Sequence, residues 1–285
     1  MNKLMLKAQV QGYRRKDGIW VKPHDDGKGA AKPDAPAPTQ KAKKVVTKAP
    51  WKPTPKPVPY GVHRTAASKG LPQQITHHPR YNDDGRRVVI QSPTAATTGE
   101  TWTNPHETAT FTPDGDFPRE LNGAPLTDWQ GPVTDAGWQF VKGTNASIKE
   151  PPFKVTPGKH AAAGVIIEED DGRIWLVTPT NSFGGYKNSF PKGTCEKGLS
   201  IQQNAIKEAW EEAGLKIEIT GFVGDFERTT SVARIYTARR VAGNPTDMGW
   251  ESQAVKLVPK HKLLDELNML PDHMIVEAYL SSKKA

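Results

Sequence analysis

The sequence predicts an α/β (α+β) fold for residues 158–285, a mixed sheet with helices on both faces, preceded by a β-rich extension and a basic N-terminal arm. Three patterns support this prediction: an apolar hairpin near residue 170, a capped amphipathic helix after it, and strand-like runs that end in two helical segments. The hydrophobic content is only 35%, so we expect part of the 285 residues to lie outside a packed core.

The N-terminal arm divides into two predicted segments. In residues 1–24, Asp17-Gly18 lies between short polar-aromatic stretches, which predicts a small hairpin that is too short to be stable alone. Residues 25–76 are rich in Lys, Pro and Ala, a composition typical of a disordered linker.

The positive charge of the chain is concentrated in this arm. Residues 1–60 contain 14 Lys and Arg and 4 Asp, so they carry +10 and the remaining residues carry −2 of the total of +8. Such an arm can attract nucleic acid, an anionic membrane or an acidic protein. It can equally be a solvated spacer, which we favour because its lysines alternate with prolines and few aromatic residues accompany them.

Residues 77–157 are predicted to form a β-rich, loop-heavy extension that is not an independent fold. Short strands are expected at Arg86–Ile90, Thr110–Phe111 and Trp138–Val141. Aromatic residues in this extension can cap the open side of the following domain: Trp102, Trp129, Trp138 and Phe140. His77 and His78 have no Cys or His partners at metal-ligand spacing, so we expect them to be surface histidines.

The regular part of the chain begins near Gly158. Ala161–Glu168 and Arg173–Thr178 are apolar runs on either side of an Asp-Asp-Gly turn, which predicts a hairpin. Further strands are expected at Lys216–Thr220, Phe222–Phe226, Ala233–Arg239 and Gln253–Val258. Two helices are expected at the end, over Lys260–Leu267 and between Pro271 and Leu280.

A helix with clear start and stop signals lies between these strands. Ser200 and Gln203 form a capping-box pattern, and Gly214 supplies the left-handed residue that commonly ends a helix. At about 100° per residue, one face of the helix is apolar and Glu208, Glu211 and Glu212 lie on the other.

Three glutamates at this spacing repel one another unless something neutralises them. Hard carboxylate ligands without Cys or His suit Mg²⁺ or Mn²⁺. The alternative is an ordinary solvated acidic face, which three glutamates alone would favour.

The register of the segment resolves this choice, because the segment resembles the Nudix box, a glycine-led loop and helix of 23 positions. The residues that match the box are Gly193, Glu208, Glu211, Glu212, Gly214 and Leu215, and residues at commonly occupied flanking places are Pro191, Lys192, Glu196, Gly198 and Ala205. The box normally has glutamate where this chain has Leu199, arginine where it has Lys207 and a bulkier aliphatic where it has Ala209. An ion pair from Leu199 is therefore absent, although Lys207 can reach Glu211 one turn on.

The Nudix resemblance implies an α/β/α sandwich over residues 158–285 and hydrolysis of a nucleoside diphosphate linked to another moiety, such as ADP-ribose or a dinucleoside polyphosphate. It implies that Mg²⁺ or Mn²⁺ is held by Glu208, Glu211 and Glu212 with the backbone carbonyl of Gly193. A further carboxylate from a downstream loop often acts as ligand or base in this family. Glu251 is our first candidate for it, and Asp247 and Glu227 follow.

Substrate contacts are expected upstream of the helix. Lys192 can pair with a phosphate, and Phe183 and Tyr186 can stack on a base. We therefore consider two hypotheses: a metal-dependent diphosphohydrolase, or a Nudix-like nucleotide-binding module with little turnover, which its basic arm delivers to an acidic partner.

The remaining expectations concern the setting of the protein. The N-terminal apolar run is too short for a secretory signal, and no stretch approaches the about 18 apolar residues of a spanning helix, so we expect a cytoplasmic protein without a membrane span. Cys195 is the single cysteine and is expected to be a bystander. A homodimer is possible because several members of the family dimerise.

Overall fold

A seven-stranded mixed sheet occupies the centre of residues 75–283, which are described by this computed structural model together with the backbone of residues 13–14 and 20–21. The predicted linker up to residue 74 lies outside the described residues. Its role and that of the basic arm stay predictions.

The strands, in chain order, are β1 (Tyr13–Arg14), β2 (Trp20–Val21), β3 (Thr76–Tyr81), β4 (Arg87–Ile90), β5 (Ala109–Phe111), β6 (Glu120–Leu121), β7 (Ala124–Pro125), β8 (His160–Glu168), β9 (Ile174–Pro179), β10 (Lys192–Thr194), β11 (Leu215–Glu227), β12 (Ser231–Gly243) and β13 (Ser252–Val258). The helices are α1 (Glu100–Thr103), α2 (Asp135–Trp138), α3 (Ile201–Ala213), α4 (Leu263–Glu266) and α5 (Leu270–Ser282). Short 3₁₀ segments lie at Thr180–Gly185, Pro245–Asp247 and Lys260–Lys262.

The order of the sheet is β11-β12-β8-β9-β13-β5, with β10 paired to β8. β12 and β8 run parallel, and the other neighbours are antiparallel. β1 and β2 pair separately, as do β3 with β4 and β6 with β7.

Alternate residues of β8 face two separate cores, as the period of two in a strand requires. Ala163, Val165 and Ile167 pack toward α3, and Ala162 and Ile166 pack toward α4 and α5. The sheet therefore has helices on both faces, and the predicted α/β/α architecture is confirmed.

The extension completes the core on the α3 side. β5 pairs with β13 at the edge of the sheet, and Phe111 at its end is fully buried. Trp102, Trp129 and Trp138 pack against the same core, with Trp138 in contact with Trp210 of α3 at 5.5 Å between ring centroids. Phe140 does not share this role, because 83% of its surface is exposed.

Several element predictions differ from the structure. The strand expected at Trp138–Val141 is wrong, because Thr134 caps the short helix α2 through its side chain and Trp138 ends that helix. The two strands expected over 216–226 are one bulged strand, β11, and the helix expected over 260–267 is a 3₁₀ turn followed by α4. β3 and β10 were not predicted, and β10 turns the glycine-led segment into a sheet strand.

None of the helices within residues 75–283 is both long and apolar enough to cross a bilayer.

Candidate active site

α3 presents the three glutamates from a well-defined position. Ser200 and Gln203 form the capping box at its start, and Gly214 ends it with φ of 68°. A Cβ on Gly214 would lie 2.2 Å from the carbonyl oxygen of Asn244, so only glycine permits this close approach. The caps therefore fix both ends of the helix that carries Glu208, Glu211 and Glu212.

Gly193 lies directly against the carboxylate of Glu208. β10 pairs with β8 through Gly193 opposite Ala163, which brings the strand alongside α3. A Cβ on Gly193 would lie 2.3 Å from Oε1 of Glu208, so a side chain here would displace the carboxylate. Burial and then the charges of Glu212 and Glu211 raise the pKa of Glu208.

Glu212 is bound to the strand beside Gly193. Its Oε2 accepts a hydrogen bond from the backbone N–H of Lys192 at 2.8 Å. Burial raises the pKa of Glu212, the positive charge and backbone hydrogen bond of Lys192 oppose this, and the charges of Glu251 and Glu211 add to it. Glu212 thus lies close enough to Glu208 for its charge to raise the pKa of Glu208.

Glu211 is held by Lys207, and Lys207 also reaches the loop before the helix. Nζ of Lys207 lies 2.6 Å from both carboxylate oxygens of Glu211 and 2.8 Å from Oε1 of Glu196. Leu199 packs against the core on the α3 side. Leu199 cannot form an ion pair between the loop and the helix. Glu196, three residues earlier, forms one with Lys207 instead.

Glu251 approaches the trio on a loop that packs against the end of α3. The N–H of Gly249 donates to the carbonyl of Glu211 at 2.7 Å, and a Cβ on Gly249 would lie 2.4 Å from that oxygen. The carbonyl of Glu251 accepts from the N–H of Thr180 at 2.8 Å. Partial desolvation and the negative charges of Asp83 and Glu211 raise the pKa of Glu251, while Lys207 opposes them.

The two other carboxylate candidates have different partners. Asp247 pairs with Arg80 at 3.0 Å. Glu227 lies at the exposed end of β11 and pairs with Lys159 at 2.9 Å. Of the three candidates, Glu251 therefore lies near the glutamates of α3. Asp247 and Glu227 form ion pairs instead.

Two of the three predicted substrate contacts lie together. Nζ of Lys192 is 4.7 Å from the ring centroid of Tyr186 and also contacts Oγ of Ser189. Tyr186 receives a hydrogen bond from Arg228, whose guanidinium is paired with the buried Asp272 at 3.1 Å. Phe183 stands apart from these contacts, with 82% of its surface exposed.

Cys195 is half-buried between the strand and α3. Burial and then the charge of Glu208 raise the pKa of its thiol to about 12, so the thiol stays protonated at neutral pH and is a poor nucleophile.

The donor set fits a hard divalent cation. Glu208, Glu211 and Glu212 are oxygen ligands, and the charges of Glu211 and Glu212 raise the pKa of Glu208. Gly193 has no side chain to stand between its strand and Glu208. Within residues 75–283 no three His, Cys, Asp or Glu side chains already gather at metal-ligand spacing. Glu211 is paired with Lys207, and Glu212 accepts from the backbone N–H of Lys192.

Two residues of the site were not identified from the sequence. Glu196 occupies a flanking place of the box, but its pairing with Lys207 eleven positions later follows only from the path of the loop. Asp83 lies in a turn recognisable as Asp-Asp-Gly, yet no local signal indicates that this turn lies beside Trp250. His78 is buried and not a surface histidine as expected, because its ring binds the carbonyl of Ser252.

The domain is an α/β/α protein in which a glycine-led strand lies beside a glutamate-bearing helix. Comparison with known proteins identifies the family to which this domain belongs. The family model described as NUDIX domain matches residues 158–278. The chain is 36% identical over 80 residues to an uncharacterized Nudix hydrolase of Rhodococcus erythropolis, covering 27% of this chain and 41% of that protein. It is 25% identical over 142 residues to a MutT-like protein of Streptomyces ambofaciens, covering 45% and 90%.

Solved structures with a similar fold include a Nudix hydrolase from Nitrosomonas europaea, at 20% identity and a TM-score of 0.37, covering 44% of this chain and 90% of that one. A MutT protein from Methanosarcina mazei Go1 has 16% identity and a TM-score of 0.39, covering 46% and 100%. Residues 158–278 therefore form a Nudix domain, and members of the Nudix family generally use divalent metals.

Proposed function

We propose that this protein is a metal-dependent hydrolase that cleaves the pyrophosphate bond of a nucleoside diphosphate linked to another moiety. The observation that carries the proposal is that α3 presents Glu208 against Gly193 and Glu212 against the neighbouring Lys192 N–H, with the charges of Glu212 and Glu211 acting on Glu208. Like charges held together in a partly buried site cost free energy unless a cation offsets them, and the phosphates of a nucleotide bring such a cation with them.

The residues of the chain have distinct roles in this proposal. Glu208, Glu211, Glu212 and the carbonyl of Gly193 hold Mg²⁺ or Mn²⁺. When bound, the divalent cation supplies neutralisation of pyrophosphate charge and acidification of a water molecule. Glu251 accepts a proton from the attacking water, because the raised pKa of its carboxyl makes it a stronger base.

The substrate is oriented by the surface next to β10. Lys192 pairs with a phosphate oxygen as a point charge, and Tyr186 and Phe183 stack on the base. Because Lys192 lies over the ring of Tyr186, the positive charge and the aromatic ring are next to each other. The Pro191-Lys192-Gly193 run resembles that of dinucleoside polyphosphate hydrolases, and ADP-ribose stays an alternative substrate.

The test is an assay of hydrolysis with magnesium across ADP-ribose, NADH, diadenosine tetraphosphate and nucleoside triphosphates. Glu212→Gln should lower turnover by at least about 100-fold, because the neutral amide is a weaker ligand, yet its oxygen can still accept the hydrogen bond from Lys192. Circular dichroism should show the same fold. Glu218→Gln on β11, where the carboxylate pairs with Arg239, is the matched control and should retain full activity.

The alternative function is a nucleotide-binding module with little turnover. Leu199 and Lys207 motivate it, whereas the Glu196–Lys207–Glu211 connection argues for an intact loop and helix. Nucleotide binding by calorimetry without hydrolysis of any compound in the panel would favour the module. A homodimer and an anionic partner for the basic arm stay predictions.

A further inference from the structure

The hairpin β3–β4 lies outside the Nudix domain in the sequence but contacts the loop that carries Glu251. Three of its side chains reach residues 247–252. Arg80 pairs with Asp247 at 3.0 Å, Nε2 of His78 lies 3.1 Å from the carbonyl oxygen of Ser252, and Asp83 accepts a hydrogen bond from Nε1 of Trp250 at 3.3 Å. The last two contacts fall on the residues immediately before and after Glu251.

The histidine contact is a defined hydrogen bond. Nδ1 of His78 accepts from the N–H of Arg80 at 3.0 Å, so in the neutral ring Nε2 carries the proton and donates it to Ser252. His78 is only 3% exposed. A buried histidine with both ring nitrogens engaged holds one orientation, and it fixes the main chain of Ser252.

The same loop is fixed from its other side by the domain itself. The N–H of Thr180 donates to the carbonyl of Glu251, its hydroxyl donates to the carbonyl of Trp250, and the N–H of Gly249 donates to Glu211. On the loop itself, these bonds involve main-chain atoms only. Within residues 75–283, the side chain of Trp250 makes one hydrogen bond, which its Nε1–H donates to Asp83.

We propose that the β3–β4 hairpin is a positioning element for Glu251, with His78 holding Ser252 and Asp83 holding Trp250 on either side of it. This rests on the proposed function, in which Glu251 accepts the proton of the attacking water. His78 and Asp83 are positioning residues and do not touch the substrate. A shift of about 1 Å in a catalytic group can cost about 100-fold in rate, so two weak contacts at such a place have a measurable effect.

The chain offers a matched control for this proposal. His77 and Asp84 are the neighbours of His78 and Asp83, carry the same side chains and are exposed. The test variant is the full chain with His78→Ala and Asp83→Ala, and the control has His77→Ala and Asp84→Ala. A rescue variant with His78→Gln and Asp83→Asn restores a donor and an acceptor at the two places.

The first measurement is hydrogen–deuterium exchange of the amides of residues 249–252. In the test variant these amides should exchange about tenfold faster than in the wild type, because the loop opens locally more often. The control and rescue variants should match the wild type, and amides of β8 and β12 should stay protected in all of them, which shows that the domain remains folded. Unchanged exchange at 249–252 in the test variant would overturn the proposal.

The second measurement links the hairpin to Glu251. With magnesium and a compound that the wild type hydrolyses, the test variant should lose about tenfold in kcat with KM within about twofold. In a Glu251→Gln background the same hairpin substitutions should have no further effect, because coupled residues are not additive. Losses that simply multiply would remove the link. If the wild type hydrolyses nothing, the proposed function fails, and the exchange measurement alone decides whether the hairpin holds this loop.

Discussion

The Nudix domain and the extension before it are stabilised by different kinds of interaction. Within the domain, long strands pair in one sheet, and the capped helix α3 makes its hydrogen bonds within its own turns. The extension over 75–157 has no strand longer than six residues, and it depends on contacts distant in sequence. The guanidinium of Arg173, for example, donates to carbonyls of Thr101, Trp102 and Glu107, some 70 positions away.

The difference shows that a boundary in sequence similarity need not be a boundary of the hydrophobic core. The family match begins at residue 158, but the core on the α3 side also contains apolar side chains of the extension: Ala109, Phe111, Leu121, Leu126 and Trp138. β5 covers the edge of β13, which would otherwise present unsatisfied backbone groups. We therefore regard residues 75–157 as part of the folding unit.

The strongest test of this comparison is a chain reduced to residues 158–285. Each fully buried large apolar side chain contributes about 1.5–3 kcal/mol, so the loss of four of them approaches the about 5–15 kcal/mol by which domains are stable. We expect the fragment to show no cooperative transition in urea unfolding followed by tryptophan fluorescence. If the fragment unfolded cooperatively at the same urea concentration as the full chain, the extension would contribute nothing to the stability of the domain.

A single substitution makes the same comparison more finely. Trp138→Ala should lower the free energy of unfolding by about 3–5 kcal/mol, because the ring is 2% exposed and packs against Trp129 and Trp210. Phe140→Ala, two residues away, should change it by less than about 0.5 kcal/mol, because that ring is 83% exposed. Denaturant unfolding of both variants measures the difference. Similar losses for the two would contradict the assignment of Trp138 to the core.

The part of the fold that the sequence predicts is the part governed by local rules. Ser200, Gln203 and Gly214 define α3 because caps act within one turn, and the period of two defines β8 and β9. The strand prediction for Trp138–Val141 is wrong because aromatic residues are common in strands, whereas here the side chain of Thr134 caps a short helix that ends at Trp138. The sequence of β3, THHPRY, does not predict a strand because it is polar and contains proline. The position of this strand depends on contacts with residues 247–252, which are distant in the sequence.

The candidate site divides in the same way. The spacing of Glu208, Glu211 and Glu212 in the sequence is enough to predict that they lie together, since all three are on one helix. The side chains that complete the surroundings come from elsewhere: Glu196 from the loop, Glu251 from a later loop and Asp83 from the extension. Their approach is a result of tertiary packing, so spacing in the sequence carries little information about it.

The smallest expected effect concerns the pH dependence of the contact between the two regions. Burial lowers the pKa of His78 from its ordinary 6.5, its two backbone hydrogen bonds oppose the change, and of the nearby charges Arg80 lowers the pKa while Asp114 raises it. Because the folded pKa lies below the unfolded one, the unfolded chain binds more protons as pH falls from 6.5. The stability that neutral His78 contributes is therefore fully present above pH 6.5 and is lost as pH decreases toward the folded pKa.

This sign can be measured by urea unfolding at a series of pH values from 7.5 downward. The free energy of unfolding of the wild type minus that of His78→Gln should decrease as pH falls below 6.5, because glutamine takes up no proton. The raised pKa values of Glu208 and Glu212 act on both proteins alike and cancel in this difference. His77→Gln, at an exposed position, is the matched control. If the slope of His78→Gln equals that of the wild type, His78 does not connect the hairpin to the Glu251 loop through its neutral form. The association of extension and domain then depends on its other contacts, among them the β5–β13 pairing, the hydrogen bonds of Arg173 and the apolar packing around Trp138.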